Sequence, residues 1–286
     1  MNTVSVIIPV YNRAHSVARA IDSVLSQELP DGKWSLQLIL VDDGSTDNLA
    51  EALVPYGDRV LCIRHDRNRG AAAARNTGIA AAEGGYLAFL DSDDTWLPGK
   101  LVAQLDFMRA NAVLASCTSY YVCRAKRPTI VSPQNQTEML SLSRIVWGCV
   151  VSPGSTLVCE RSVFNEIGLL DASLPRFEDW DWLLRYTRLH HLGFLAKPLT
   201  RVNIGSAANA DVVLRALERM RTKHQGDLTN GDRRNFRAAL ELERAAAHFR
   251  CGALVSAGMA FLRSLWLVPL GNKAISAVLY NRLPQN

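Results

Sequence analysis

Short apolar runs and longer amphipathic stretches take turns along the first ninety residues. Val4–Pro9 is nearly continuous apolar chain, the pattern of a strand buried on both faces. After it, Val17, Ile21, Val24 and Leu25 recur at helical spacing. Leu36–Val41 reads as a second buried strand, and Asp47–Leu53 as a helix capped by Ser45 and Thr46. Val60–Arg64 is a third, short strand, Ala71–Ala82 an alanine-rich helix entered through Gly70, and Tyr86–Leu90 a fourth strand. This β-α-β-α-β-α-β order predicts an open parallel sheet with helices on both faces. Such sheets bind ligands beyond the carboxyl ends of their strands.

The second half is less regular. Lys100–Asn111 reads as a helix and Val113–Val122 as a strand. Arg124–Ser143 is polar, contains Pro128 and Pro133, and is expected to be a mobile loop. Asp179–His190 reads as a helix and Gly193–Ala196 as a short strand. From about residue 205 the pattern becomes all-helical, with candidates at Asp211–Lys223, Arg233–Arg250, Ala253–Val268 and Lys273–Arg282. The expected division is an α/β domain over 1–205 and a helical C-terminal extension over 206–286. Within the extension, Cys251–Leu270 approaches the length of a bilayer span. A span would put Arg263 in hydrocarbon at about 2.5–3.5 kcal/mol. Leu254, Ala257, Phe261, Leu265 and Val268 instead recur at helical spacing, as in an amphipathic helix. Three roles stay open for it: packing on the α/β part, a homodimer contact, or peripheral contact with an anionic membrane helped by Arg263, Lys273 and Arg282.

Composition narrows the classes. With 48% hydrophobic residues the 286-residue chain can build a real core. A net charge of +5 is too mild for a dedicated nucleic-acid binder, but suits anionic substrates or an anionic membrane surface. The six cysteines form no CxxC pair and no zinc spacing, as expected of scattered reduced thiols in the cytoplasm. The opening MNTVSVIIPVYNR has neither a basic n-region nor a cleavage site, and reads as a first strand. The histidines show no ligand spacing and are expected at the surface or at helix ends.

Chemistry gathers where strands end. The second strand runs into Val41-Asp42-Asp43-Gly44-Ser45-Thr46-Asp47 and the fourth into Leu90-Asp91-Ser92-Asp93-Asp94, on the same edge of the sheet. Clustered carboxylates repel each other and are costly to desolvate. A divalent cation removes that cost. Oxygen ligands without cysteine or histidine favour Mg²⁺ or Mn²⁺, with diphosphate oxygens completing the coordination.

These segments, with Ser5-Val6-Ile7-Ile8-Pro9-Val10-Tyr11-Asn12-Arg13, Asn68-Arg69-Gly70 and Ala74-Arg75-Asn76-Thr77-Gly78 in order between them, closely resemble family 2 glycosyltransferases over roughly residues 3–205. The resemblance implies a GT-A fold: a Rossmann-like, open mixed but mainly parallel sheet flanked by helices. It implies that Pro9, Val10 and Tyr11 border the nucleotide base, that Asp43 accepts from a uracil-like edge, and that Arg75 approaches the diphosphate. Asp91-Ser92-Asp93 matches the family's DxD motif. Asp91 and Ser92 then belong to the donor site, and Asp93 or Asp94 to the metal. In Phe177-Glu178-Asp179-Trp180-Asp181-Trp182 the resemblance makes Asp179 the general base, with Asp181 as runner-up. Trp180 and Trp182 read equally as a sugar-stacking floor or as core aromatics. Ser152-Pro153-Gly154-Ser155-Thr156 reads as a wall of the acceptor pocket.

The activity implied is inverting transfer of a sugar from a UDP-sugar to a hydroxyl acceptor, a glycan or a lipid-linked one, as in cell-surface polysaccharide or glycolipid synthesis. One base with no second catalytic carboxylate implies direct displacement. A sugar-nucleotide pyrophosphorylase would carry a glycine-rich loop after the first strand, and none is present. A catalytically silent nucleotide-sugar-binding protein is the alternative, expected to have lost Asp93, Asp94 or Asp179. The expected location is the cytoplasm or the cytoplasmic face of the membrane.

Overall fold

A computed structural model describes residues 2–268 apart from 31, 33, 125–126, 132–136, 150 and 204–208. The strands are β1 (Asn2–Val10), β2 (Trp34–Asp42), β3 (Leu61–Arg64), β4 (Tyr86–Phe89), β5 (Thr95–Trp96), β6 (Ala115–Arg124), β7 (Arg127–Val131), β8 (Glu138–Leu140), β9 (Val158–Glu160) and β10 (Leu192–Asn203). The helices are α1 (Ala14–Leu25), α2 (Leu49–Leu53), α3 (Ala71–Ala81), α4 (Lys100–Asn111), α5 (Leu142–Ile145), α6 (Pro153–Thr156), α7 (Ser162–Ile167), α8 (Glu178–Thr187), α9 (Ala210–His224), α10 (Asn230–Arg250) and α11 (Leu254–Leu267). The helix expected over Lys273–Arg282 and the boundary expected at 205/206 lie outside the described residues.

Two compact units emerge. The first joins 1–139, 151–172 and 190–204, and the second joins 140–150, 173–189 and 205–286.

The first unit is built on a sheet of strand order β3-β2-β1-β4-β9-β6-β10-β5, with β7 on β6 and β8 on β10. β3, β2, β1 and β4 run parallel, and so do β6 and β10. β9 is antiparallel to both β4 and β6. β5 on β10 and β7 on β6 are antiparallel as well, so the sheet is mixed, as expected, with its longest ladders parallel. On one face Val4, Val6, Ile8 and Val10 pack with Val17, Ile21 and Val24 of α1 and Leu101, Leu105 and Met108 of α4. Burial of these side chains at about 25 cal/mol per Å² of apolar surface favours folding of the unit. Opposite, α3 presses close to β1. A Cβ on Gly78 would fall 2.4 Å from Ile7 Cγ2, so only glycine fits there.

Three expectations need correction. Ser45 and Thr46 do not cap α2, whose N-cap is Asn48 without a side-chain bond. The stretch expected to be a loop over Arg124–Ser143 contains β7 and β8. The strand expected to stop at Ala196 continues to Asn203, with register shifts on either side of Pro198. Proline removes one ladder bond, and the strand absorbs it as an irregularity instead of ending.

Candidate active site

The parallel strands order as 3-2-1-4, so the chain reverses direction across the sheet between β1 and β4. The carboxyl ends there form the crevice where such sheets bind ligands. Side-chain bonds knit the loops beyond β1 and β2 together. Asn12, at φ +51°, donates its N–H to Ser45 Oγ (2.9 Å) and accepts from Thr46 N–H at its Oδ1 (2.8 Å). Asp47 Oδ2 accepts from Ala14 N–H (2.9 Å) at the first turn of α1, where a negative charge is favoured. Asp42 accepts from Ser45 N–H (2.8 Å) and pairs with Arg64 (2.5 Å). Of the three residues expected near a base, Pro9 and Val10 are buried strand and Tyr11 is the exposed one.

Asp43 is buried and already occupied. Its Oδ1 accepts from Arg69 N–H (2.8 Å) and faces His65 Nδ1 (2.7 Å), while Oδ2 accepts from Gly70 N–H (2.7 Å). His65 Nε2 lies 2.9 Å from Thr77 Oγ1. Asp43 thereby shapes the turn that feeds α3. A carboxylate offers about four lone-pair sites, so Oδ2 keeps capacity for one more donor. His65 is not the surface histidine expected. Its position directly after β3, at the same strand edge, was the signal available in sequence.

Beyond β4 the three aspartates separate by environment. Asp91 keeps 40% of its side chain exposed and takes a 2.5 Å ion pair from Arg75, itself buried. The backbone of Gly154 closes behind this pair, since a Cβ there would sit 2.8 Å from Asp91 Oδ2 and 2.9 Å from Arg75 NH2. Asp93 is 29% exposed and 3.6 Å from Arg13. Asp94 is buried, with Oδ1 held by Asn203 N–H (2.7 Å) and Oδ2 by Ser155 Oγ–H (2.5 Å). Burial, then the charges of Asp91 and Asp93, push the Asp94 carboxyl up to about 8 against the pull of its two hydrogen bonds. Asp93 is raised too, by burial first and then by Asp91, with Arg13 opposing. The electrostatic tension expected of gathered carboxylates is present. Ser92 is buried, and its carbonyl accepts from Ser16 Oγ–H (3.1 Å). Ser155 also accepts at its carbonyl from Trp96 Nε1–H (2.8 Å). The Ser152–Thr156 segment thus underpins the aspartates.

Among the described residues no three histidine, cysteine or carboxylate side chains converge to hold a metal ion. Asp91 and Asp93 offer accessible oxygens of the hard kind that Mn²⁺ or Mg²⁺ accepts. Two carboxylates leave most of an octahedron to water and phosphate oxygens.

Asp179 opens α8 in the second unit, accepting from Trp180 N–H at Oδ1 (2.7 Å) and from Cys149 Sγ at Oδ2 (3.5 Å). Trp180 is wholly buried, donates to Ile145 O (2.7 Å) and meets Phe177 and Phe236 edge-on. Trp182 stacks on Tyr186 at 5.3 Å. Both tryptophans are core aromatics, which removes the sugar-floor reading. Asp181 is buried among Arg185 (2.9 Å), Lys223 (2.9 Å) and His224 (2.8 Å). Burial alone would raise its carboxyl. Hydrogen bonds from His224 and Lys223 and the charge of Arg185 outweigh that and hold it at about 2. Asp181 ties α8 to α9, and His224 closes α9 as a helix-end histidine, but buried.

The family model described as "Glycosyl transferase family 2" matches residues 5–168. A UDP-Glc:alpha-D-GlcNAc-diphosphoundecaprenol beta-1,3-glucosyltransferase of Escherichia coli is 30% identical over 185 residues, 64% of this chain and 69% of that protein. An uncharacterized glycosyltransferase of Rickettsia felis is 34% identical over 208 residues, 72% of this chain, and the chain spans only 34% of its length. Residues 1–349 of Staphylococcus aureus TarS, solved with UDP-GlcNAc, superimpose with a TM-score of 0.69 at 19% identity, covering 97% of this chain and 82% of that fragment. A Pyrobaculum calidifontis mannosyltransferase, solved with GDP-Man and Mn²⁺, gives 0.62 at 18% identity over 97% of this chain and 79% of its own. These structures share the GT-A fold. With its strand-edge motifs and a matching model over more than half its length, the chain belongs to glycosyl transferase family 2.

Proposed function

We propose that the protein transfers a sugar from a UDP-sugar to a hydroxyl of a lipid-linked glycan, with inversion. The observation that carries this reading is the Arg75–Asp91–Asp93 arrangement: one buried guanidinium and two accessible carboxylates at the β1/β4 crevice. Tyr11, with Pro9 and Val10 behind it, would border the base, and Asp43 Oδ2 would accept from the uracil imide. Asp91 and Ser92 would flank the ribose and sugar, with Arg75 towards the diphosphate. Asp93 is the proposed metal ligand. Asp94, with both oxygens held internally, is proposed to fix the loop. Bound Mn²⁺ or Mg²⁺ would supply charge stabilisation to the departing diphosphate. Asp179 would take the acceptor proton as the hydroxyl attacks the anomeric carbon. The lipid-linked acceptor is suggested by the E. coli relative's name. The proposed location is the cytoplasmic face of the membrane.

The test is a donor screen. Purified protein with Mn²⁺ is offered a panel of nucleotide sugars, and released diphosphate and product anomer are measured. UDP release with an inverted product supports the proposal. Tight UDP binding without turnover of any donor leaves only a binding protein. Asp179→Asn is expected to keep UDP affinity while transfer falls roughly 10²–10⁴-fold. Wild-type transfer by this variant removes Asp179 as the base.

A further inference from the structure

Helix α11 is turned the wrong way round for water. Its inner face is small, with Ala257, Ala260 and Ser264 buried. Its outer face is large and apolar: Val255 is 77% exposed, Met259 49%, Leu262 65% and Trp266 86%. These four lie at i, i+4, i+7 and i+11, one continuous stripe. A soluble helix buries such a stripe, and an exposed one marks a contact surface. Beside Trp266 lies a cavity of about 330 Å³ whose charged lining is Arg221, Arg237, Arg244 and Arg263 against Glu241. Arg221 is paired with Glu218 and Arg244 with Glu241. Among the described residues Arg237 and Arg263 have no ion-pair partner, and both are exposed.

We propose that this face seats the protein on an anionic phospholipid surface. The Val255–Trp266 stripe would enter the boundary between headgroups and acyl chains, and Arg237 and Arg263 would engage lipid phosphates. Charge selects this occupant. A second copy meeting the stripe about a two-fold axis would bring the same unpaired arginines together, and like charges facing each other oppose association. The remaining chain does not supply a counter-charge either. After Arg244 the sequence holds no aspartate or glutamate, while Arg250, Arg263, Lys273 and Arg282 are basic. A phosphate-rich surface supplies both the anions and the apolar depth. Indole is suited to that depth, with an apolar body and one polar edge. The docking deepens the reading of a lipid-linked acceptor, but is measured independently of it.

Flotation of the full chain with vesicles of phosphatidylethanolamine and phosphatidylglycerol (3:1), compared with pure phosphatidylcholine, is the test. The wild type is expected to partition onto the anionic vesicles and to lose most of that binding in high salt. Arg237→Glu with Arg263→Glu should weaken it at least about 25-fold, near fivefold per arginine. Trp266→Ser with Met259→Ser should weaken it about tenfold or more, and Arg237→Lys with Arg263→Lys should restore it. These side chains are exposed, so unchanged melting and unchanged UDP affinity confirm that each variant is folded. Equal binding to both vesicle types, or binding to neither, overturns the proposal. So does a concentration-dependent dimer in sedimentation that Trp266→Ser abolishes, which would make a second copy the occupant. Vesicle binding without transfer of any sugar would sink the function and leave the docking standing.

Discussion

At the residue scale, the three aspartates after β4 show how neighbours in sequence receive different tasks. Asp93 is part-exposed beside Arg13, whereas Asp94 satisfies two donors from inside the fold. Asp93→Asn should lower Mn²⁺-dependent UDP affinity roughly 10–100-fold, the range of a disturbed metal site, with melting unchanged. Asp94→Ala should act the other way round. It leaves Ser155 and Asn203 unanswered in a buried place, at about 1–3 kcal/mol, and calorimetric melting should register it first. Sequence showed that these carboxylates share an edge, because strand ends and acidic runs are both local. It left Asp93 and Asp94 equivalent, because Ser155 and Asn203 reach Asp94 from 61 and 109 residues away.

At the element scale, two buried charges report on packing. Lys100 opens α4 with its ammonium wholly buried, 4.0 Å above the Trp96 ring and, among the described residues, without a hydrogen-bond partner. Burial outweighs the opposing influence of Cys117 and brings the amine down to about 7. Below that pH Lys100 is protonated in both folded and unfolded chains, and the fold bears the full cost of the buried charge. Between about 7 and 10.5 only the unfolded chain binds the proton, so stability rises with pH by at most about 1.4 kcal/mol per unit. Lys100→Met should melt higher at pH 7 and lose that rise, and melting curves at four pH values decide it. Asp181 behaves in the opposite sense. Its carboxyl is held at about 2, below the ordinary 3.9 of the unfolded chain. Its contribution is therefore complete above pH 4 and drains away as pH falls towards 2. Asp181→Ala should cost about 3–5 kcal/mol by leaving Lys223, Arg185 and His224 together without their carboxylate, seen as lost α8–α9 melting cooperativity. Helices such as α4 were legible end to end, because a dozen residues carry a full period. β5 and β9, of two and three residues, hold too little pattern to read.

At the scale of the whole molecule, the order of motifs made the β3-β2-β1 side of the sheet legible, because those three parallel strands lie side by side in chain order, whereas the β6/β10 pairing joins strands some seventy residues apart. The grouping of residues 140–150 and 173–189 with the C-terminal helices was not legible. It depends on Trp180 meeting Phe236 and Asp181 meeting His224, encounters between segments that no local pattern announces.

That three-part construction sets a timetable for the newborn chain. When α8 has just been made, Phe236, which will meet Trp180, and Lys223 and His224, two of the three bases around Asp181, are still untranslated. A chain halted near residue 200 would hold Trp180 without Phe236, and Asp181 with Arg185 as its one base from this set. Such a fragment should collect on chaperones or precipitate, however well its strands have already paired.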